Sequence, residues 1–313
     1  MPELHGTVKD QPPLPKSTPP GGKVEREFTV KERSQLEMSY RRFLHHRIAT
    51  VSVVMFVLLV LFAFLLPHLW KFHYNVYTND LSQAPSWKHP FGTDSTCYDG
   101  LAVVMRGTGQ SLKVAFTIGF VGTVVGAIWG VVSGFIGGAI DAGLMRLADL
   151  ILTIPGLALA AALSNKFGGS WWIIGLILAG TSAPYVGRVV RGVVLSLRER
   201  EFVEAARALG ASNTRIMIRH LLPNTLPVLI VNATLLIAAG ILAETALSFV
   251  GFGIRPPDTS LGVLITQSQG AVDTRPWLFY FPGIFIILIA LTVNFIGDGL
   301  RDALDPRQTR DRR

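Results

Sequence analysis

Residues 201–223 read EFVEAARALGASNTRIMIRHLLP and lie between apolar stretches that are each long enough to cross a bilayer. Helix-forming Arg, Glu and Ala crowd the first half, from Leu197 to Leu209. Arg200–Glu204 at i,i+4 and Glu204–Arg207 at i,i+3 have the spacing of ion pairs on one helix face. Phe202, Val203, Ala206 and Leu209 give that helix an apolar stripe. Gly210 is placed to end it, because glycine tolerates the left-handed backbone that a helix C-terminus usually demands. Ser212 or Asn213 can cap a second helix through Ile216, Ile218 and Leu221, which Pro223 is expected to stop before the next span. The segment therefore reads as a short helix–turn–helix along the membrane face, kept because something outside the membrane reads it. The plainer alternative is an amphipathic helix resting on lipid headgroups.

Composition supplies the context. Half of the 313 residues are hydrophobic, 16% are charged and the mean hydropathy is +0.42, too apolar for an ordinary soluble protein. Six stretches suit a hydrocarbon core of about 30 Å, or about 20 helical residues each. They fall at Ile48–Trp70, Leu112–Phe135, Leu144–Leu163, Trp171–Leu195, Leu226–Val250 and Trp277–Ile296. The expected fold is all-α, a polytopic membrane protein with six transmembrane helices. Pro184, Arg188 and Arg191 interrupt the inner half of the fourth stretch.

Lys and Arg accumulate on the cytoplasmic side of membrane proteins. With both termini cytoplasmic, 22 of the 29 Lys and Arg fall on that side, Arg41, Arg42 and Arg47 close to the first span among them. The net charge of +8 then reflects topology and anionic headgroups, making membrane lipid a partner. Nucleic acid is not an expected partner, since no soluble domain carries a basic patch with aromatic partners. Residues 1–39, rich in Pro, Gly and charge, read as a disordered cytoplasmic tail, and 309–313 as a short C-terminal one. No cleavable signal is apparent, because the first apolar stretch is long enough to stay as a span. Cys97 is the one cysteine, so an intrachain disulfide and a thiolate metal cluster are excluded.

The spacing of Glu204-Ala205-Ala206, Gly210 and Leu222-Pro223 resembles the EAA loop by which permeases of ATP-binding-cassette (ABC) importers dock onto their ATPase subunits. Three further strings are similar to the inner-membrane components of dipeptide and oligopeptide importers, in their C-type subunit. They are His89-Pro90-Phe91-Gly92-Thr93-Asp94, the run from Leu247 to Gly253 followed by Pro256-Pro257, and the run from Asn294 to Pro306. The resemblance covers roughly residues 40–308, the expected permease domain, with its coupling loop at 197–225. It departs at Cys97-Tyr98-Asp99, where the family usually has Gly-Arg-Asp, at His220 in place of an isoleucine, and at Leu261 in place of a tryptophan.

The resemblance implies a type I ABC importer permease in a bacterial inner (cytoplasmic) membrane. Its implied partners are a second, B-type permease, two ABC ATPase subunits and an extracytoplasmic substrate-binding protein. It further implies a non-catalytic chain with no cofactor or metal of its own, ATP and Mg being bound by the ATPases. Docking falls to Glu204, Ala205, Ala206, Arg207 and Leu209, the bend to Gly210, and the tie to the fifth span to Leu222 and Pro223. Di- or oligopeptides are the implied cargo. Nickel, glutathione and an ion-coupled secondary transporter are the alternatives, although no internal repeat supports the last.

Three other features bear on function. Gly122, Gly126, Gly130, Gly134 and Gly138 recur every four residues, a pattern of close helix packing more than of a pore lining. Among acids inside spans, Asp149 is spaced to pair with Arg146, and Glu244 lies about 27 Å along its helix from Leu226, near the outer surface. Both are candidates for a substrate path or gate, because a membrane-embedded acid is costly. GTGQS at 107–111 has no following Gly-Lys-Ser/Thr and is read as an outer segment that binds no nucleotide.

Overall fold

A computed structural model describes residues 42–304. The two expected tails, 1–39 and 309–313, lie outside the described residues. Among those residues every regular element is a helix, and the only extended pairing is a bridge between Thr93 and Asp99. The helices are α1 (Arg47–Phe64), α2 (Leu66–Leu69), α3 (Gly100–Ile136), α4 (Gly138–Thr153), α5 (Gly156–Phe167) and α6 (Trp171–Leu197). Then come α7 (Glu201–Ala208), α8 (Asn213–Ile216), a π-helical turn (Met217–Leu221), α9 (Leu222–Phe249), α10 (Leu261–Ser268) and α11 (Trp277–Leu304).

Among the described residues five helices are long and apolar enough to cross a membrane, six if the bent pair α4–α5 is counted as one span. That pair corrects the expectation of a straight third span. The axis turns by 87° because Pro155 offers no backbone N–H and holds Ile154 extended, at φ −78° and ψ 133°. The second span also starts earlier than expected. Asp99 caps its helix, accepting 2.8 Å from the Ala102 amide, so GTGQS is buried helix.

The most extensive pairing joins α3 to α6, and the glycine repeat explains it. A Cβ on Gly126 would lie 2.5 Å from Val186 Cβ, and one on Gly130 2.5 Å from the Gly187 carbonyl oxygen. The repeat is a packing groove, as the spacing predicts, except at Gly138, where nothing approaches. The closing string works the same way, since a Cβ on Gly299 would strike Ala49 of α1 at 2.3 Å.

Between α2 and α3 the chain ties itself down through His89, which is fully buried. Its Nδ1 lies 2.7 Å from Asp99 Oδ2 and its Nε2 3.0 Å from Asp80 Oδ2, and its ring stacks on Phe72. Trp70 Nε1 donates to the other Asp99 oxygen at 3.1 Å. The string His89–Asp94 is therefore the knot of the loop between α2 and α3. Cys97 lies at φ +64°, a backbone conformation that suits glycine and is met here by a cysteine.

Candidate coupling surface and buried acids

The expected coupling segment forms two arms around one bend. Glu201 and Glu204 occupy the first turn of α7 and Arg207 its last, matching charge to the helix dipole. Gly210, at φ +78°, closes α7 in a Schellman motif: Ala211 N–H donates to Ala206 O at 3.0 Å and Gly210 N–H to Arg207 O at 2.9 Å. Ser212 caps α8, its Oγ accepting from the Arg215 amide at 3.4 Å.

Pro223 does not stop the second arm. Helix runs unbroken from Asn213 to Phe249, because the π turn shifts the hydrogen-bond register just ahead of the proline. Leu222 N–H reaches back five residues to Met217 O. The loop's second arm is thus one rod with the fifth span. The first arm is separate, since α6 ends at Leu197 and Arg200 is extended.

The apolar stripe divides by face. Val203, Ala206, Ile216 and Leu221 are buried against α3 and α6 residues including Phe135, Val190 and Val194. Phe202, Leu209 and Ile218 stay outward, Leu209 at 88% exposure. Of the expected docking residues, Glu204, Ala205, Arg207 and Leu209 are exposed. Ala206 is only 8% exposed and seats the helix. Phe202 and Ile218 join the outward set, which the sequence could not separate from the inward stripe. Neither expected ion pair on α7 forms among the described residues; Arg207 lies over the Phe135 ring at 5.4 Å.

The two acids have different partners from those expected. Asp149 pairs with Arg188 of α6, not with Arg146, and its side chain is half exposed. A second clamp joins the same helices, Arg191 binding Asp141 through two hydrogen bonds of 2.6 and 2.5 Å. Glu244 is fully buried. Ser260, Ser248 and Ser111 donate to it at 2.6, 2.8 and 3.2 Å. Ser111 and Ser260 in turn accept from the Leu261 and Val263 amides at the start of α10. Glu244 therefore ties α3, α9 and α10 together, and no part of it lines an open surface of this chain.

A bundle of long apolar helices with an exposed bent loop between two of them is the arrangement to set beside known proteins. Residues 122–310 match the binding-protein-dependent transport system inner membrane component family, and residues 34–86 match the N-terminal TM domain of oligopeptide transport permease C. The oligopeptide transport system permease protein OppC of Mycobacterium tuberculosis H37Rv is 41% identical over 276 residues, covering 87% of this chain and 95% of the relative. The protein of the same name from Escherichia coli K12 is 41% identical over 283 residues, covering 89% and 93%. The fold is similar to that of a chain in the inward-facing MetNI methionine ABC transporter, with a TM-score of 0.53, 22% identity, and coverage of 65% of this chain and 97% of that one. The chain belongs to the binding-protein-dependent inner membrane component family and is a multi-pass inner-membrane permease.

Proposed function

We propose that this chain is the C-type half of an ATP-driven ABC importer that carries oligopeptides into the cytoplasm. The exposed residues of the bent loop, Glu204, Ala205, Arg207 and Leu209 with Phe202 and Ile218, would seat in a cleft on one of two ATPase subunits. A second permease would complete the path, and an extracytoplasmic binding protein would deliver cargo. ATP and Mg would belong to the ATPases, and this chain would perform no chemistry. Both termini would be cytoplasmic. The observation that carries this reading is the unbroken helix from the loop's second arm through α9. A rigid rod passes a push on the loop into the span, as rigid-body alternating access requires. Relatives named for oligopeptide transport, similar over most of their length, support the cargo assignment.

Of the two membrane acids, Asp149 is the one able to meet solute, beside the bend of α4–α5, whereas Glu244 holds the outer end together. The test is Gly210→Pro in the assembled complex. A φ locked near −65° cannot replace the observed +78°, so ATP-dependent peptide uptake should be abolished while membrane insertion is unchanged. Retained uptake would refute the coupling assignment.

A further inference from the structure

At the outer end of α1 a cavity of about 220 Å³ is lined by Phe64, His68, His73, Arg106, Gln110 and Lys113, among others. No carboxylate belongs to the lining. Arg106 is already committed, bound to Asp258 at 2.8 Å. Lys113 is not. Among the described residues no carboxylate pairs with it, and its ammonium lies between two rings, 5.5 Å from Trp171 and 5.9 Å from Phe64.

Gln110 supplies the second observation. It is 1% exposed, and its Nε2 donates to Asp258 Oδ2 at 2.6 Å. A carboxylate only accepts, so the amide cannot be flipped. Oε1 is left as a buried acceptor with no donor among the described residues. A buried acceptor without a partner is costly, and this one belongs to a residue that lines the cavity. An occupant should therefore offer both a negative charge and a hydrogen-bond donor.

Depth selects the kind of molecule. Lys113 lies 23 residues before Ile136, roughly 35 Å along α3 and just beyond a hydrocarbon core of about 30 Å. Trp171 opens α6 and Phe64 closes α1 at the same level, where aromatic side chains mark the headgroup region. From Lys113 the same face of α3 continues inward through Phe116 and Phe120, 43% and 71% exposed. A soluble anion would leave that stripe uncovered.

We propose that this cleft binds an outer-leaflet phospholipid, its phosphate on Lys113, an ammonium or hydroxyl donor of its headgroup on Gln110 Oε1, and an acyl chain along Phe116 and Phe120. The assignment is independent of which cargo the permease moves. The test is thermal stability of the purified full-chain complex in detergent, titrated separately with five probes: phosphatidylethanolamine, phosphatidylglycerol, phosphatidylcholine, inorganic phosphate and a soluble acidic peptide. The first two should raise the melting temperature. Phosphatidylcholine, whose quaternary ammonium cannot donate, should act about tenfold more weakly, and Lys113→Gln should weaken the first two by about tenfold while Lys113→Arg retains them. Equal stabilisation by phosphate, peptide or phosphatidylcholine would overturn the proposal, as would an unchanged response in Lys113→Gln. If that variant does not fold, a photoreactive phosphatidylethanolamine decides on the wild-type complex. Capture within residues 61–73 or 106–120 supports the site, and capture only elsewhere refutes it.

Discussion

Two glycines end two helices with the same backbone geometry, at what this reading takes as opposite faces of the membrane. Gly210 closes α7 and Gly251 closes α9, at φ +78° and +87°. The second repeats the first bond for bond: Phe252 N–H donates to Leu247 O at 3.0 Å and Gly251 N–H to Ser248 O at 2.9 Å. Their surroundings differ. After Gly251 the chain is gripped at once, Ser164 Oγ donating to Phe252 O at 2.7 Å and Arg255 N–H to Gly169 O at 3.0 Å. Ser260 then donates to Glu244. After Gly210 the next arm is held by the Ser212 cap and by apolar packing of Ile216, with no such tertiary hydrogen bonds among the described residues, and Leu209 stands almost fully exposed. One local motif thus ends in an anchored segment at one place and an exposed bend at the other. Tertiary partners make the difference.

The largest expected effect that sharpens this contrast is functional. Leu209→Asp should cut ATP-dependent uptake by more than about tenfold, because a charge in an apolar contact at an interface leaves it poorly satisfied. Protein levels and melting temperature should stay unchanged, since Leu209 packs against little in this chain; a matching loss of stability would place it in the core. On the outer side the effect should be structural. A Cβ on Gly253 would lie 2.0 Å from Ser248 Oγ, so Gly253→Ala should displace that serine from Glu244. A cost of about 2–3 kcal/mol is expected, from overpacking and a lost hydrogen bond to a buried carboxylate. Hydrogen exchange across residues 244–263 would reveal it as faster opening, and unchanged protection would show that the outer grip is soft.

The comparison itself breaks if Gly210→Ala and Gly251→Ala differ in local cost. Neither Cβ would meet any atom within 4 Å, so each should cost only about 1 kcal/mol of stability through added backbone strain, read as equal changes in exchange of the Ala211 and Phe252 amides. The smallest effect concerns pH. Hydrogen bonds from Lys88 and His89 hold the Asp80 carboxyl below its ordinary value of 3.8. Its contribution to the outer loop is therefore present above that value and fades as pH falls through the lowered one. Exchange in residues 78–99 should rise as pH is taken below about 4, with no such change in residues 200–215 after correction for intrinsic rates.

Much of this was legible in the order of residues. The spans, the glycine at the bend, the Ser212 cap and the packing role of Gly126 and Gly130 follow from hydropathy, backbone freedom and four-residue spacing, which are properties of short segments. The family strings, too, were readable before any contact was known. Tertiary structure decided the rest. It routed Pro223 into a continuous helix through a π turn, gave Asp149 to Arg188 and not to Arg146, and turned Ala206 inward beside an outward Leu209. It also enclosed Glu244 among serines from three separate segments. Local sequence governs backbone conformation one or two turns at a time, whereas the partners of a side chain depend on which distant helix packs against it.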